Sequence, residues 1–168
     1  RGQHYHEQAQ ALEKLHAQRS NVGADVAALA AHALAEAMEK ARIGRLTRFQ
    51  HILLRLGELI AYVECAGSLA RRAVRMANGK LGEKANRRFD ASALAALSRI
   101  FAREAALKVA EEGLRLTIGA GAASDEAAAV EASMQVPAIH RAQAGLIADM
   151  DFIADVLYDR VAKSARAA

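Results

Sequence analysis

FQHILLRLGELIAYVECAGSLARR, the stretch from Phe49 to Arg72, decides the fold. Its large apolar residues fall at Phe49, Ile52, Leu56, Leu59/Ile60 and Val63, and the same line runs on through Gly67 and Ala70. Steps of three and four residues place them on one face of an α-helix. Gln50, Arg55, Glu58, Arg71 and Arg72 fall on the other face. The pattern predicts a long helix acting as the central staple of a helical bundle. Thr47 offers a cap oxygen ahead of it, and Asn78-Gly79 stops it.

Composition points the same way. Ala supplies 42 of the 168 residues, Pro occurs once and Trp is absent. Ala is the best helix former and Pro the worst, and strand-like runs of β-branched and aromatic residues are missing. The expected class is all-α, one domain with a real core.

On the N-terminal side, His4 to Arg19 reads as a short polar helix whose apolar residues are Ala11, Leu12 and Leu15. Residues 20–23 break it. Asn21 or Gly23 can start the next helix, with Asp25 favourable in its first turn. That helix extends to Ile43 on a thin stripe of Val26, Leu29/Ala30, Ala33/Leu34, Ala37/Met38 and Ala41. Its small residues allow a neighbour to approach closely while burying little area each. Gly44 bends the chain.

On the C-terminal side, Lys80 to Phe89 is a basic connection. Asp90 caps a helix from Ala91 to Ile118, with Leu94, Leu97, Ile100/Phe101, Leu107, Ala110, Leu114 and Ile118 expected inside. Gly119-Ala120-Gly121 ends it, and Ser124 can cap a short helix with Asp125 and Glu126 at its positive end. Pro137 opens a last helix that offers Ile139, Leu146, Met150, Ile153, Leu157 and Val161. The expected architecture is an antiparallel helical bundle of about four main helices plus short flanking helices. Residues 1–22 form an N-terminal helix and linker, and residues 23–168 the bundle domain.

The net charge of +4 is unevenly spread. Residues 40–88 hold 12 Lys/Arg against 3 Asp/Glu, and the remainder 11 against 16. A solvated face is the plain reading of the basic middle; anionic lipid or an acidic neighbouring domain is the sharper one. Nucleic acid is disfavoured, because aromatics are scarce and the acidic flanks repel phosphate. Lys40, Arg42, Arg45 and Arg48 lie near Ile43, Leu46 and Phe49, a basic amphipathic turn suited to an anionic interface or to a partner's core, although bundle burial competes for those three apolar residues.

No catalytic signature stands out. A dimetal bundle needs two Glu-x-x-His pairs, and only Glu13–His16 has that spacing. His4 and His6 read as exposed. Ser68 and Cys65 lack a base nearby in sequence. Cys65 sits within the apolar helix, where a buried thiol behaves as a small hydrophobe, and a lone Cys fits a reducing, cytoplasmic setting. Glu58 and Glu64 fall on different faces, and Arg55–Glu58 reads as a surface pair. Asp151, Asp155 and Asp159 form a solvated row, or a partner for Arg71, Arg72 and Arg75. No uncharged run is long enough to span a membrane, and no secretory leader is read. The opening Arg1-Gly2-Gln3 predicts a processed chain or a piece of a longer protein.

With its helices in place, the chain resembles the C-terminal helical extension of very-long-chain-type acyl-CoA dehydrogenases. The resemblance lies in the order and wording of MEKARIG (38–44), LLRLGELIA (53–61), AGSLARR (66–72) and IFAREAALK (100–108), and spans about residues 25–160. It implies a larger flavoprotein whose core desaturates fatty acyl-CoA between the α and β carbons, with FAD accepting the hydride. The extension packs on that core, supports a homodimer and, in membrane-associated members, contributes to attachment at a lipid surface. FAD is expected in the parent protein and not in this segment, which takes over no catalytic, cofactor-binding or metal-ligating residue. The alternative is a self-standing bundle that oligomerises through its Ala-rich helices.

Overall fold

The computed structural model of the chain describes residues 2–81, 89–121 and 123–160. They form α1 (Gln3–Gln18), α2 (Ala24–Ile43), a 3-10 turn (Leu46–Arg48), α3 (Gln50–Ala77), α4 (Ala91–Ile118), α5 (Ser124–Ser133), α6 (Val136–Arg141) and α7 (Leu146–Leu157). No strand occurs among the described residues. The expected all-α bundle is what the described residues form: four long helices and three short ones.

Named contacts give the topology. His16 faces Asp25, and His6 faces Glu36, so α1 and α2 are antiparallel. Arg55 meets Glu112, Glu58 meets Lys108, and Tyr62 stacks on Phe101 at 5.8 Å between ring centres, so α3 and α4 are antiparallel too. Ser98 donates to the Val22 carbonyl at one end, and Gly113 meets Ala37 at the other, so α4 runs parallel to α2. Asp149 and Ile153 pack back along α4 from α7.

The expected central staple is α3, but the centre belongs to α2 and α4. Eleven residues of α2 are buried, on nearly every side of the helix, because it touches α1, α3, α4, α5 and α6. Nine of those eleven are Ala. On α4 the innermost residues are also small: Ala95, Ala102, Ala105, Ala106, Ala110 and Gly113. Leu97, Ile100, Phe101, Leu107, Leu114 and Ile118, expected inside, are only half-buried on its flanks. Small side chains let the two backbones approach, and large ones then fill the grooves beside the contact. The Ala-rich faces are therefore consumed inside the bundle. The stripe on α3 is correct from Ile52 through Leu56, Leu59, Val63 and Ala70. Phe49 departs from it: its extended backbone places it ahead of the helix, and it is 53% exposed. Thr47 does not cap α3, since it lies inside the 3-10 turn and Phe49 holds the cap position.

The sequence sets residues 1–22 apart, yet Tyr5, Ala9 and Leu12 of α1 lie in the same apolar cluster as Leu34 and Leu59. Ala11, read as apolar-facing, is exposed. Asp90 caps α4 as expected, accepting from the Ala93 amide at 2.8 Å. The cap position of α5 is Ala123, with Ser124 as first helical residue. The side chain of Ser124, the connection from Gly82 to Arg88 and Val161 lie outside the described residues.

The single last helix expected after Pro137 is two helices. Gly145 adopts a left-handed backbone (φ 82°), and Arg103 takes the carbonyls of Ala142 and Ala144 at 2.8 Å each. A left-handed residue ends a helix, and the arginine satisfies the carbonyls left over at the break. The break turns α7 onto α4 with Ile153 inward, while Met150 and Leu157 face outward.

A Cβ added at Gly113 would lie 2.4 Å from Met134 Cε and 3.2 Å from Ala37 Cβ, whereas one at Gly57 would meet nothing within 4 Å. In urea denaturation, Gly113→Leu is expected to lose about 2 kcal/mol or more by overpacking. Gly57→Ala is expected to gain about 0.4–1 kcal/mol, because the glycine sits mid-helix on the open face.

Candidate docking surface

The turn from α2 into α3 gathers the exposed apolar residues of the basic segment. Ile43 is 62% exposed and Leu54 70% exposed; Phe49 and Leu53 are about half exposed. Arg45 stands in the left-handed region (φ 54°) and turns the chain between α2 and the 3-10 turn. That sharp reversal leaves Ile43 and Phe49 outside the helical stripes on either side of it.

Ahead of Phe49, the six residues singled out from sequence divide into two groups. Arg42, Ile43, Arg45 and Arg48 are exposed. Lys40 is half-buried, and Leu46 turns inward against the small cluster of Ala41, Ile52, Leu56 and Leu116. Arg42 is held by Glu39 on the preceding turn, and that hydrogen-bonded carboxylate raises its pKa. Phe49 stands on this surface as the sequence pattern expects, and Leu53 and Leu54 join it, which the pattern does not foresee. Leu53 and Leu54 lie off the Ile52–Leu56–Leu59 line, which is the signal that pointed outward. Beside Phe49 a cavity of about 250 Å³ opens, lined by Leu46, His51, Ile52, Arg115 and Leu116.

From Leu54 an uncovered strip of small residues runs along α3 through Gly57, Ala61, Cys65 and Ser68. Cys65 is exposed, not buried, and Ser68 likewise faces outward and packs no helix. A second exposed apolar group, Ile147, Met150, Leu157 and Tyr158, lies along and just beyond α7.

The remaining candidates take structural positions. Arg55 binds Glu112 at 2.9 Å and not Glu58; Glu58 binds Lys108 at 2.9 Å. These cross-helix pairs tie α3 to α4, because residue 58 faces α4 across the groove. Glu64 lies on the other side and accepts from Gln8 of α1 at 3.1 Å. Glu13 and His16 part company: Glu13 meets His32, and His16 meets Asp25. His4 is exposed as expected, but His6 is half-buried against His32. Asp155 pairs with Arg160 at 3.6 Å, and α7 packs on α4, not on the helix carrying Arg71, Arg72 and Arg75. Among the described residues no group of three or more His, Cys, Asp or Glu is placed to hold a metal ion, and no helix is long and apolar enough to cross a membrane.

The strongest electrostatic feature holds α7 in place. Asp149 accepts from Arg99 (Nε at 2.9 Å, with a second bond from Nη2) and from Arg103 Nη1 at 2.6 Å. Arg99 also reaches the Asn21 carbonyl at 2.6 Å. Two arginines of α4 thus bind the turn before α2, the break before α7 and α7 itself. The Arg99 hydrogen bonds, reinforced by Arg103, hold the Asp149 carboxyl below its usual range, against the opposing effect of burial. A depressed carboxylate contributes stability that is complete above its unfolded value, about 3.9, and is lost as pH falls through the folded one. Asp149→Asn is expected to cost about 2 kcal/mol near neutral pH. Its unfolding free energy should approach that of the parent as pH drops below about 4, read by urea titrations across the acid range.

No protein-family model, no curated protein and no solved structure matches this chain.

Proposed function

We propose that the chain is a non-catalytic docking domain, and that the protein it serves is an FAD-dependent acyl-CoA dehydrogenase of the very-long-chain type. In that protein the flavin core carries out α,β-desaturation of fatty acyl-CoA, and this domain packs on the core and supports a homodimer. The setting is cytoplasmic, with attachment at the periphery of an anionic membrane as a second role.

The observation that carries the docking role is the open outer face of α3. Ile43, Phe49, Leu53 and Leu54 are exposed at its start, and Gly57, Ala61, Cys65 and Ser68 continue it. Contiguous exposed apolar residues mark contact surfaces, and small residues beyond them admit a close neighbour. The Ala-rich faces of α2 and α4 are buried within the bundle, so the outer face of α3 is the better candidate for association. The wording of residues 38–44, 53–61, 66–72 and 100–108 supports the family part of the reading. The membrane role is favoured by Arg42, Arg45 and Arg48 standing around Ile43 and Phe49, a basic rim on an apolar patch.

Each part has its own test. Sedimentation of the chain should show a dimer that Leu53→Asp with Leu54→Asp converts to monomer without loss of helix; a monomeric parent at all concentrations overturns the association. Titration with FAD should show no stoichiometric binding, and the reading frame ahead of residue 1 should encode dehydrogenase-like sequence; a start codon there overturns the family reading. Flotation with anionic vesicles should fall on joint replacement of Arg42, Arg45 and Arg48 by Gln, and equal flotation of parent and variant removes the membrane role.

A further inference from the structure

Where the turn before α2, the first half of α4 and the break before α7 meet, a cavity of about 270 Å³ opens. No residue of α3 borders it, so docking through α3 does not use it. Its walls include Ser20, Gly23, Asp25, Arg99, Arg103 and Arg141. A close approach of two backbones builds it. Gly23 is left-handed (φ 73°), and a Cβ there would lie 2.8 Å from Arg99 Cα. Ser98 fastens the same turn by donating to the Val22 carbonyl at 2.7 Å. The start of α2 is thereby laid against the helix that carries Arg99 and Arg103. The chain leaves α6 at Arg141, and Arg103 holds two of the carbonyls that follow.

Counting donors shows what the cavity lacks. A guanidinium has five N–H groups and no acceptor. Arg99 commits three of them, two to Asp149 and one to the Asn21 carbonyl. Arg103 commits three, one to Asp149 and two to the carbonyls of Ala142 and Ala144. Two N–H groups remain on each, on side chains only 28% and 11% exposed. The Arg141 guanidinium, at the surface, has no partner among the described residues. Two acids stand against these three cations: Asp149, and Asp25, which is drawn toward His16 at 3.4 Å. One positive charge is left over. The start of α2 adds to it. Its first bond runs from the Ala27 amide to the Gly23 carbonyl at 3.0 Å, so the amides of residues 24–26 have no acceptor within the helix and carry its positive end. Guanidinium forks match the oxygens of carboxylate and phosphate. Donors here come from α2, α4 and α6, and a phosphate group presents three acceptor oxygens to them, where a planar carboxylate presents two.

We propose that this cavity binds the phosphate group of a small phosphate monoester, held by Arg141 together with the spare N–H groups of Arg99 and Arg103 and the first amides of α2. Asp149 fixes Arg99 and Arg103 before the ligand arrives, which lowers the ordering cost of binding. Arg141 supplies the charge that no carboxylate of the cavity engages. Asp25 opposes the ligand and limits its affinity. The volume falls below the range of about 300–1,000 Å³ that pockets for drug-sized ligands occupy, so the group esterified to the phosphate is short.

Titration of the intact chain with glycerol 3-phosphate and with inorganic phosphate tests this, with sodium chloride at equal ionic strength as the blank. Proton–nitrogen NMR should show saturable shifts of the amides of residues 24–26 and of the Arg99 and Arg103 Nε–H signals. The monoester should bind at least as tightly as the free ion. Arg141→Gln should raise the Kd by about tenfold or more, the loss of a charge-assisted hydrogen bond, with helix content unchanged. Asp25→Asn should lower the Kd by removing the opposing carboxylate; should Arg141→Gln lose its helices, this variant and the parent titration decide. Shifts that chloride reproduces, an equal Kd in the parent and Arg141→Gln, shifts centred on Arg42, Arg45 and Arg48, or a site that takes inorganic phosphate and excludes the monoester would each overturn the proposal.

Discussion

The parallel contact of α2 with α4 is the constraint on which the rest of the bundle depends. It requires small side chains along both helices, and α2 supplies Ala at nine of its eleven buried positions. With the two backbones close, several large residues of α4 stand on its flanks, where Phe101 finds Tyr62 of α3 and Ile100 packs in the cluster against α7. The α1 helix then covers α2 and the α3 helix covers α4, and the two meet through Gln8 with Glu64 and Arg19 with Asn78. The outer face of α3 is left open because its inner face alone meets the bundle.

Such a core carries an energetic consequence. An alanine buries little apolar area, so each buried residue contributes less than a leucine would. Directional polar ties supplement it. Arg99 and Arg103 fasten three chain segments to α4 around one carboxylate, Ser98 secures the turn before α2, and Arg19 bonds the end of α3. Breaking a charge pair that is largely desolvated leaves the remaining charge uncompensated. The weight of the fold therefore rests more on a few arginines than the count of apolar residues would suggest.

Much of this was legible in the chain. The Ile52–Leu56–Leu59–Val63 line defined a helix face, and Asp90 with Gly119 marked both ends of α4, because capping is a local interaction. What escaped depended on distant partners. Alanine occurs on every side of α2, so the pattern could not say which face was inner. Phe49 fits the stripe of α3 by spacing but stands before the helix begins. The division between α6 and α7 depends on Arg103, a residue of another helix, taking carbonyls that a continuous helix would have used itself. The basic corner was visible through its arginines, while its apolar members, Leu53 and Leu54, were visible only as residues that fit no stripe.

The parallel pairing of α2 with α4 also bears on how the chain folds. Its two partners are separated in sequence by the whole of α3 and the connection that follows. The α1–α2 hairpin can form early from local contacts, but its alanine face has no cover until α4 is available. Closing a loop of that length is a non-local step and slows the search for the native state. During synthesis from the N-terminus, the alanine face of α2 therefore waits for its partner until α4 has emerged. Commitment to the native topology would arrive only with the segment that begins at Asp90.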